Sequence, residues 1–312
     1  MEKENLRLIF MGTPRISAFV FESLIEAGYH FVGLIAQPDR PIGRSGETEK
    51  VPTKVVAEKY GIPVFQPIKI RKEYDFVKEL QPDLIITLAY GQIVPQGLLD
   101  IPQYGCLNLH GSLLPKYRGA APIQYALINN EKETGMTLME MIDKMDAGRM
   151  YAKRIVKIVS EDNATSLFDK MGSAAKDLIL DNLPKYIDGE LNGEVQDESL
   201  VTFAPSIKVE QEKLDLSMDA EKILGWIRAL SDKPGAYLLL EGEKIKIYQA
   251  ELVKIPFKGQ VGEIIQANKN GLVVQLNDGQ LSILEIQKEG KKRMDYRSFV
   301  NGNQKLFGKI FE

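Results

Sequence analysis

The strongest constraint on this chain is an alternation between short, almost wholly apolar runs and stretches with apolar residues at helical spacing. Leu6–Met11 is a compact apolar run, broken by Gly12-Thr13-Pro14. Pro14 suits the first position of a helix, where its missing N–H costs nothing. Ile16, Val20, Leu24 and Ala27 then recur at helical spacing, and Gly28 stands just past the end. Phe31–Ala36 and Asp83–Ala89 are further apolar runs, with helix candidates at Thr53–Tyr60 and Lys72–Gln81 between them. Strands this continuously apolar must be covered on both faces. Repeated strand–helix units achieve that in an α/β domain with a mostly parallel sheet.

The texture changes along the chain. One long amphipathic stretch runs from Asn163 to about Ile187, and a polar segment follows to about Ser206, punctuated by Gly189, Gly193 and Pro205. The expected division is a first domain over 1–188, a linker over 189–206 and a second domain over 207–312. After a helix candidate at Ala220–Ala229 come short runs at Ala236–Leu240, Lys244–Ala250, Gly262–Ala267, Leu272–Leu276 and Gln280–Ile286. Short strands at this spacing predict a small all-β barrel or sandwich.

Composition narrows the function classes. The 312 residues are 44% apolar and 27% charged, which excludes a disordered chain, a coiled coil or a collagen-like fibre. No run approaches the roughly 18 apolar residues of a membrane span. The opening Met-Glu-Lys-Glu-Asn does not read as a signal peptide. With one cysteine, Cys106, and two histidines there is neither a disulfide nor a Cys/His zinc cluster. A cytoplasmic, metal-independent protein is expected, and a monomer. Net charge is −3, unevenly spread: Ser206–Glu312 carries 17 Lys and Arg against 15 Asp and Glu, which leaves −5 for the rest. The bias is stronger from Leu284 onward, where Lys288, Lys291, Lys292, Arg293, Arg297, Lys305 and Lys309 face four acidic residues. That permits a polyanionic partner without demanding one.

The first strand–helix turn carries one glycine, so the dinucleotide fingerprint is absent, as is a P-loop. The informative region is Gly105–Gln124. If Gly105–His110 is a strand, Asn108 and His110 share one face at its C-terminal end, where open α/β sheets keep their crevice. The pair suits an oxyanion hole or a proton shuttle. The plainer alternative is a strand-end histidine satisfied by a backbone carbonyl. Gly111, Pro115 and Gly119 shape a long loop straight after the pair. Asp146, in Asp143-Lys-Met-Asp-Ala-Gly148, is either a turn former or a carboxylate that orients the histidine. Asp143 and His30 read as structural, and Cys106 as a buried small hydrophobe.

These residues resemble a known family. Asn108-Leu-His110 with Ser112-Leu-Leu-Pro115, Arg118-Gly119 and the Asp146-x-Gly148 loop look like the folate-dependent formyltransferases. Phe10-Met-Gly-Thr-Pro14, Gln37-Pro-Asp-Arg-Pro41, Ala89-Tyr-Gly-Gln92 and Arg118-Gly-Ala-Ala-Pro-Ile-Gln124 look like those of its members that act on an aminoacyl-tRNA. The likeness is nearly collinear from Leu6 to about Pro205 and weaker beyond. It implies a Rossmann-like domain followed by an OB-fold-like β-barrel, a 10-formyltetrahydrofolate donor, and the α-amino group of methionyl initiator tRNA as acceptor. It implies Asn108, His110 and Asp146 as the catalytic trio, and Ser112, Leu113, Leu114 and Pro115 as the folate-binding segment. Pro38–Pro52 matches a loop that approaches the tRNA, which makes Arg40 and Arg44 candidate RNA contacts. Here the loop departs from the lysine-rich pattern, since Asp39, Glu47 and Glu49 balance Arg40, Arg44 and Lys50. From the charge bias, Lys291, Lys292 and Arg293 are further RNA candidates, and a fragment ending near Ser206 is expected to bind folate but lose tRNA. The alternatives are formyl transfer to an amino sugar nucleotide and a non-catalytic folate- or RNA-binding module.

Overall fold

In the computed structural model, which describes residues 5–42, 47–303 and 305–312, the apolar runs become the centre of a seven-stranded sheet. Its strands are β1 (Leu8–Gly12), β2 (Phe31–Ile35), β5 (Val64–Phe65), β6 (Leu84–Leu88), β7 (Cys106–His110), β8 (Glu133–Glu140) and β9 (Met150–Lys157). The order is β5-β2-β1-β6-β7-β8-β9; the first five strands run parallel, and β8 pairs antiparallel with both β7 and β9. The chain leaves β1 toward β2 on one side and returns to β6 on the other, which creates a switch point at the strands' C-terminal ends. β3 (Arg40–Ile42) and β4 (Glu47–Glu49) pair as a separate two-stranded antiparallel sheet within the loop expected over Pro38–Pro52.

Both faces of the sheet are covered, as the run composition requires. On one face Phe10 stacks on Phe21 of helix α1 (Arg15–Glu26) at 4.8 Å, and Phe31 meets Phe21 edge-on at 5.0 Å. On the other, Ile9, Met11, Ile85 and Cys106 pack with Val77 of α3 (Asp75–Leu80) and Leu98 of α4 (Gln96–Leu99). Each fully buried Leu, Ile or Phe of this kind stabilises the fold by about 2 kcal/mol. α2 (Pro52–Lys59), α5 (Pro122–Ile128) and α6 (Ala164–Ile187) complete the helices of this part of the chain. β1 and β6 converge tightly: a Cβ on Gly12 would lie 2.6 Å from the Leu88 carbonyl oxygen, so only glycine fits.

Helix α3 is shorter than the expected Lys72–Gln81. The Glu73 carboxylate accepts from the backbone N–H groups of Ile68 and Lys69 at 3.2 and 3.0 Å, so residues before Tyr74 are turned rather than helical.

The chain divides into two compact units, Met1–Pro122 with Glu133–Lys157 and Phe168–Pro205, and Ile123–Lys132 with Ile158–Leu167 and Ser206–Glu312. The segment expected as a linker therefore belongs to the first unit. Arg118 N–H donates to the Thr202 carbonyl at 2.9 Å, Ala204 N–H to the Arg118 carbonyl at 2.8 Å, and Glu194 and Met150 exchange two backbone bonds at 2.8 Å.

In the second unit, α7 (Ala220–Leu230) lies so close to residues 127–128 that a Cβ on Gly225 would be 2.8 Å from two backbone carbonyls. Five strands, β10 (Ala236–Leu240), β11 (Glu243–Val253), β12 (Ile264–Asn268), β13 (Gly271–Gln275) and β14 (Gln280–Lys288), form the antiparallel path β10-β11-β14-β13-β12. A short β15 (Met294–Asp295) adds to β14, and α8 (Tyr296–Asn301) follows. Residues 309–312 then join the two ends of that path: Leu239 and Glu312 exchange backbone bonds at 2.8 and 2.9 Å, and Ile264 N–H reaches the Lys309 carbonyl at 2.8 Å. This segment shields both edges, which an open sheet would expose.

Candidate active site

Asn108 and His110 stand two apart on β7, at its C-terminal end and on one face. β7 is placed by Thr87 of β6, opposite Asn108, and by Thr137 of β8, opposite His110. The Asn108 side chain is half-buried, and no described residue hydrogen-bonds it. His110 is 5% exposed, and its two ring nitrogens have different surroundings. Nε2 lies 2.9 Å from the Tyr117 carbonyl oxygen. A carbonyl only accepts, so Nε2 carries the proton and donates there. Nδ1 is left facing Asp146 Oδ1 at 3.6 Å. The plainer reading of His110 thus accounts for one nitrogen, and Asp146 stands against the other.

Asp146 sits in the β8–β9 connection with φ of 50°, a left-handed conformation that Asp tolerates better than most residues. Its Oδ2 accepts from the Gly119 N–H at 2.8 Å, which leaves Oδ1 toward the imidazole. Gly119 itself has φ of 121°, and a Cβ there would lie 2.7 Å from the Ala204 carbonyl oxygen. The 105–124 and 143–148 loops, far apart in sequence, therefore meet through Asp146.

The Ser112–Pro115 segment is more self-contained than a simple ligand loop. Ser112 is buried and donates its hydroxyl to the Lys116 carbonyl at 2.6 Å, while its own carbonyl accepts from Thr137 Oγ1 at 2.7 Å. Leu114 is buried, and its N–H reaches Thr137 Oγ1 at 3.2 Å. Only Leu113 and Pro115 of the four keep partial exposure.

Sequence reasoning missed a polar cluster behind the trio. Arg118 is 1% exposed and directs Nε and Nη2 to Gln196 Oε1 at 3.0 and 2.9 Å. Gln196 Nε2 donates to the carbonyls of Asp146 and Gly148 at 2.8 and 2.9 Å. Arg118 Nη2 also pairs with Glu198 at 2.9 Å, and Arg118, then Lys144, hold the Glu198 carboxyl below its ordinary range. A buried arginine in an apolar-flanked loop was the available signal, because such a charge demands partners.

Among the RNA candidates, Arg40 is exposed on β3, and Arg44 lies outside the described residues. Lys291 and Lys292 are exposed without an ion pair among the described residues. Arg293 departs from expectation: it is paired internally with Asp232 and Glu285 and lies over the Tyr248 ring at 4.3 Å. Its charge is already compensated by carboxylates close enough to compete with any phosphate.

Cys106 is buried in the core, where burial first, and the Asp100 charge second, push its thiol up to about 12. No three or more His, Cys, Asp or Glu among the described residues are grouped to hold a metal. No helix among them is long and apolar enough to cross a membrane.

Comparison with known proteins bears on this geometry. The formyl transferase family profile matches residues 6–183, and the profile of the formyl transferase C-terminal domain matches 206–304. A methionyl-tRNA formyltransferase of Lactobacillus acidophilus is 45% identical over 303 residues, covering 96% of each chain. Among solved structures, an N-formyltransferase from Helicobacter canadensis, in complex with folinic acid and dTDP-3-aminofucose, superposes with a TM-score of 0.66 at 18% identity, over 91% of this chain and 99% of that one. HypX from Aquifex aeolicus, in complex with tetrahydrofolic acid, gives 0.65 at 18% identity over 93% of this chain, which spans only 46% of HypX. These two share the fold. With one profile covering the stretch that carries Asn108, His110 and Asp146, and a relative matched almost end to end, this chain belongs to the formyl transferase family.

Proposed function

We propose that this protein transfers the formyl group of 10-formyltetrahydrofolate to the α-amino group of methionyl initiator tRNA, in the cytoplasm and as a monomer. The observation that carries the reading is the division of labour on His110: Nε2 is fixed on the Tyr117 carbonyl, and Nδ1 alone is free to exchange a proton, opposite Asp146. The choice of acceptor is supported by the relative of nearly equal length that bears that name.

The donor supplies an electrophilic formyl carbon and a leaving nitrogen. The aminoacyl amine attacks that carbon, a C–N bond forms, and charge develops on the formyl oxygen. The Asn108 amide, which no described residue occupies, is the hydrogen-bond donor for that charge. One such donor is worth about 3–4 kcal/mol in the transition state. The proton lost by the amine is taken at His110 Nδ1, directly or through a water, and passes to the departing folate nitrogen. Asp146 stabilises the ring while it is charged, with its carboxylate held by Gly119. The partly exposed Leu113 and Pro115 offer an apolar surface to the folate, while Ser112 and Leu114 stiffen the loop. Residues 1–188 carry the chemistry, and 207–312, with Lys291 and Lys292, dock the RNA.

The test is a competition. With 10-formyltetrahydrofolate as donor and equal methionyl-tRNA and dTDP-amino sugar, the formyl group should be recovered on methionine. Recovery on the sugar would overturn the acceptor assignment, and recovery on neither would overturn the reading.

A further inference from the structure

The turn that carries the Asp146 carboxylate is held by a segment that carries no reacting group. Residues 194–204 run back across the first unit, pairing with Met150 at one end and with Arg118 and Ala121 at the other. Near the Met150 end of this strap Gln196, 4% exposed, points inward. The direction of its amide is unambiguous: two guanidinium N–H groups face Oε1, and two carbonyls face Nε2, so the reverse orientation would misplace all four partners. The two carbonyls belong to Asp146 and Gly148, within the turn in which Asp146 is held left-handed at φ 50°. The same strap governs the other hold on Asp146. Gly119, whose N–H binds Oδ2, is anchored between Arg118 and Ala121, both of which pair with strap carbonyls or N–H groups of residues 202–204. Both holds on Asp146, one on its backbone carbonyl and one on its carboxylate, therefore trace back to residues 196–204.

We propose that Gln196, set by the buried Arg118, is a positioning residue that fixes Asp146 opposite His110, and that the 194–204 strap is a structural part of the active site. The inference rests on the formyl-transfer reading of that site. Gln196 acts through Asp146 and touches no substrate. Its loss lets the 146–148 turn relax, which moves Oδ1 from a position where it already stands 3.6 Å from Nδ1. Displacements of an ångström in such an arrangement lower rates by up to on the order of a hundredfold.

The test is a double-mutant cycle in the full-length protein, read as single-turnover formyl transfer to methionyl-tRNA. Gln196→Glu keeps an acceptor for Arg118 but sets a carboxylate oxygen against two carbonyls. It should lower the transfer rate by about tenfold or more, with KM for folate and for tRNA within about twofold and the thermal midpoint retained. In an Asp146→Asn background the same change should cost less than about twofold, since linked residues do not add. Should Gln196→Glu lower the thermal midpoint, Gln196→Met, of the same length and uncharged, serves in the same cycle. An equal cost in both backgrounds, or no cost in either, would overturn the inference while leaving the reaction intact. Absence of transfer by the unmodified protein would count against the reaction and the inference together.

Discussion

His110 Nδ1 and Asp146 Oδ1 face each other at 3.6 Å, a distance beyond a good hydrogen bond, while the second Asp146 oxygen is pinned by Gly119 at 2.8 Å. A proton arriving on Nδ1 converts this approach into a charge-assisted contact. Asp146→Asn keeps the shape but removes the charge, and should lower kcat by about a hundredfold with folate binding retained. Asn108→Ala should do the same by removing the oxyanion donor. Steady-state kinetics with separately titrated folate and tRNA check both.

Gly119→Ala tests whether the carboxylate's anchor matters. The new Cβ would meet the Ala204 carbonyl at 2.7 Å in a conformation that side chains avoid, so backbone must shift. The expected cost is about 1–3 kcal/mol of stability and at least a tenfold loss of kcat. Thermal unfolding and turnover measured on one preparation would reveal it, and a fully active, equally stable variant would contradict the anchoring role.

Much of the α/β architecture was legible because its signals are local. The runs at Leu6–Met11 and Asp83–Ala89 and the helix beyond Asn163 follow from periodicity alone, and β1, β6 and α6 stand there. The position of Asn108 and His110 at a strand end was legible for the same reason. The strap was not. Gly189, Gly193 and Pro205 punctuate a polar stretch as a linker would, yet its order comes from backbone pairing with residues some 80 positions earlier, as in Arg118 with Thr202. The 309–312 segment that joins β10 to β12 is likewise set by distant partners, and so is the neutralisation of Arg293.

The basic residues of the second unit separate into two behaviours. Lys291→Ala with Lys292→Ala should flatten the salt dependence of tRNA affinity by about one to two phosphate equivalents, with stability unchanged. Arg293→Ala should instead destabilise the protein by about 1 kcal/mol. The Asp232 carboxyl is held below its ordinary value by Arg293 first. A depressed folded-state pKa stabilises above the unfolded value of about 3.9 and is lost as pH falls through the folded one. The destabilisation should therefore be full at pH 7 and shrink toward pH 3, as followed by thermal melts across that range.

The division of the chain revises the fragment experiment. Residues 123–132 and 158–167 cluster with 206–312, and Arg228 of α7 donates to the carbonyls of Asp162 and Val159 at 2.6 Å. A fragment ending near Ser206 loses those partners for Leu127, Ile128 and Leu167, all buried in the full chain. It should unfold without a sharp transition rather than persist as a folate-binding domain. A cooperative melt close to that of the intact protein would contradict this.

Cys106 offers a negative control on the chemistry. With its thiol pushed up to about 12 by burial, it stays protonated at any working pH and supplies no thiolate. Native protein at pH 8 should resist iodoacetamide and become reactive only on unfolding, and Cys106→Ala should keep near-normal turnover.

The most direct test of the central claim is a single-turnover measurement of formyl transfer to methionyl-tRNA by the unmodified protein and by His110→Ala. The account predicts N-formylmethionyl-tRNA in amounts stoichiometric with enzyme, and a rate at least about a hundredfold lower when the imidazole is removed. Transfer at an undiminished rate by His110→Ala would contradict it.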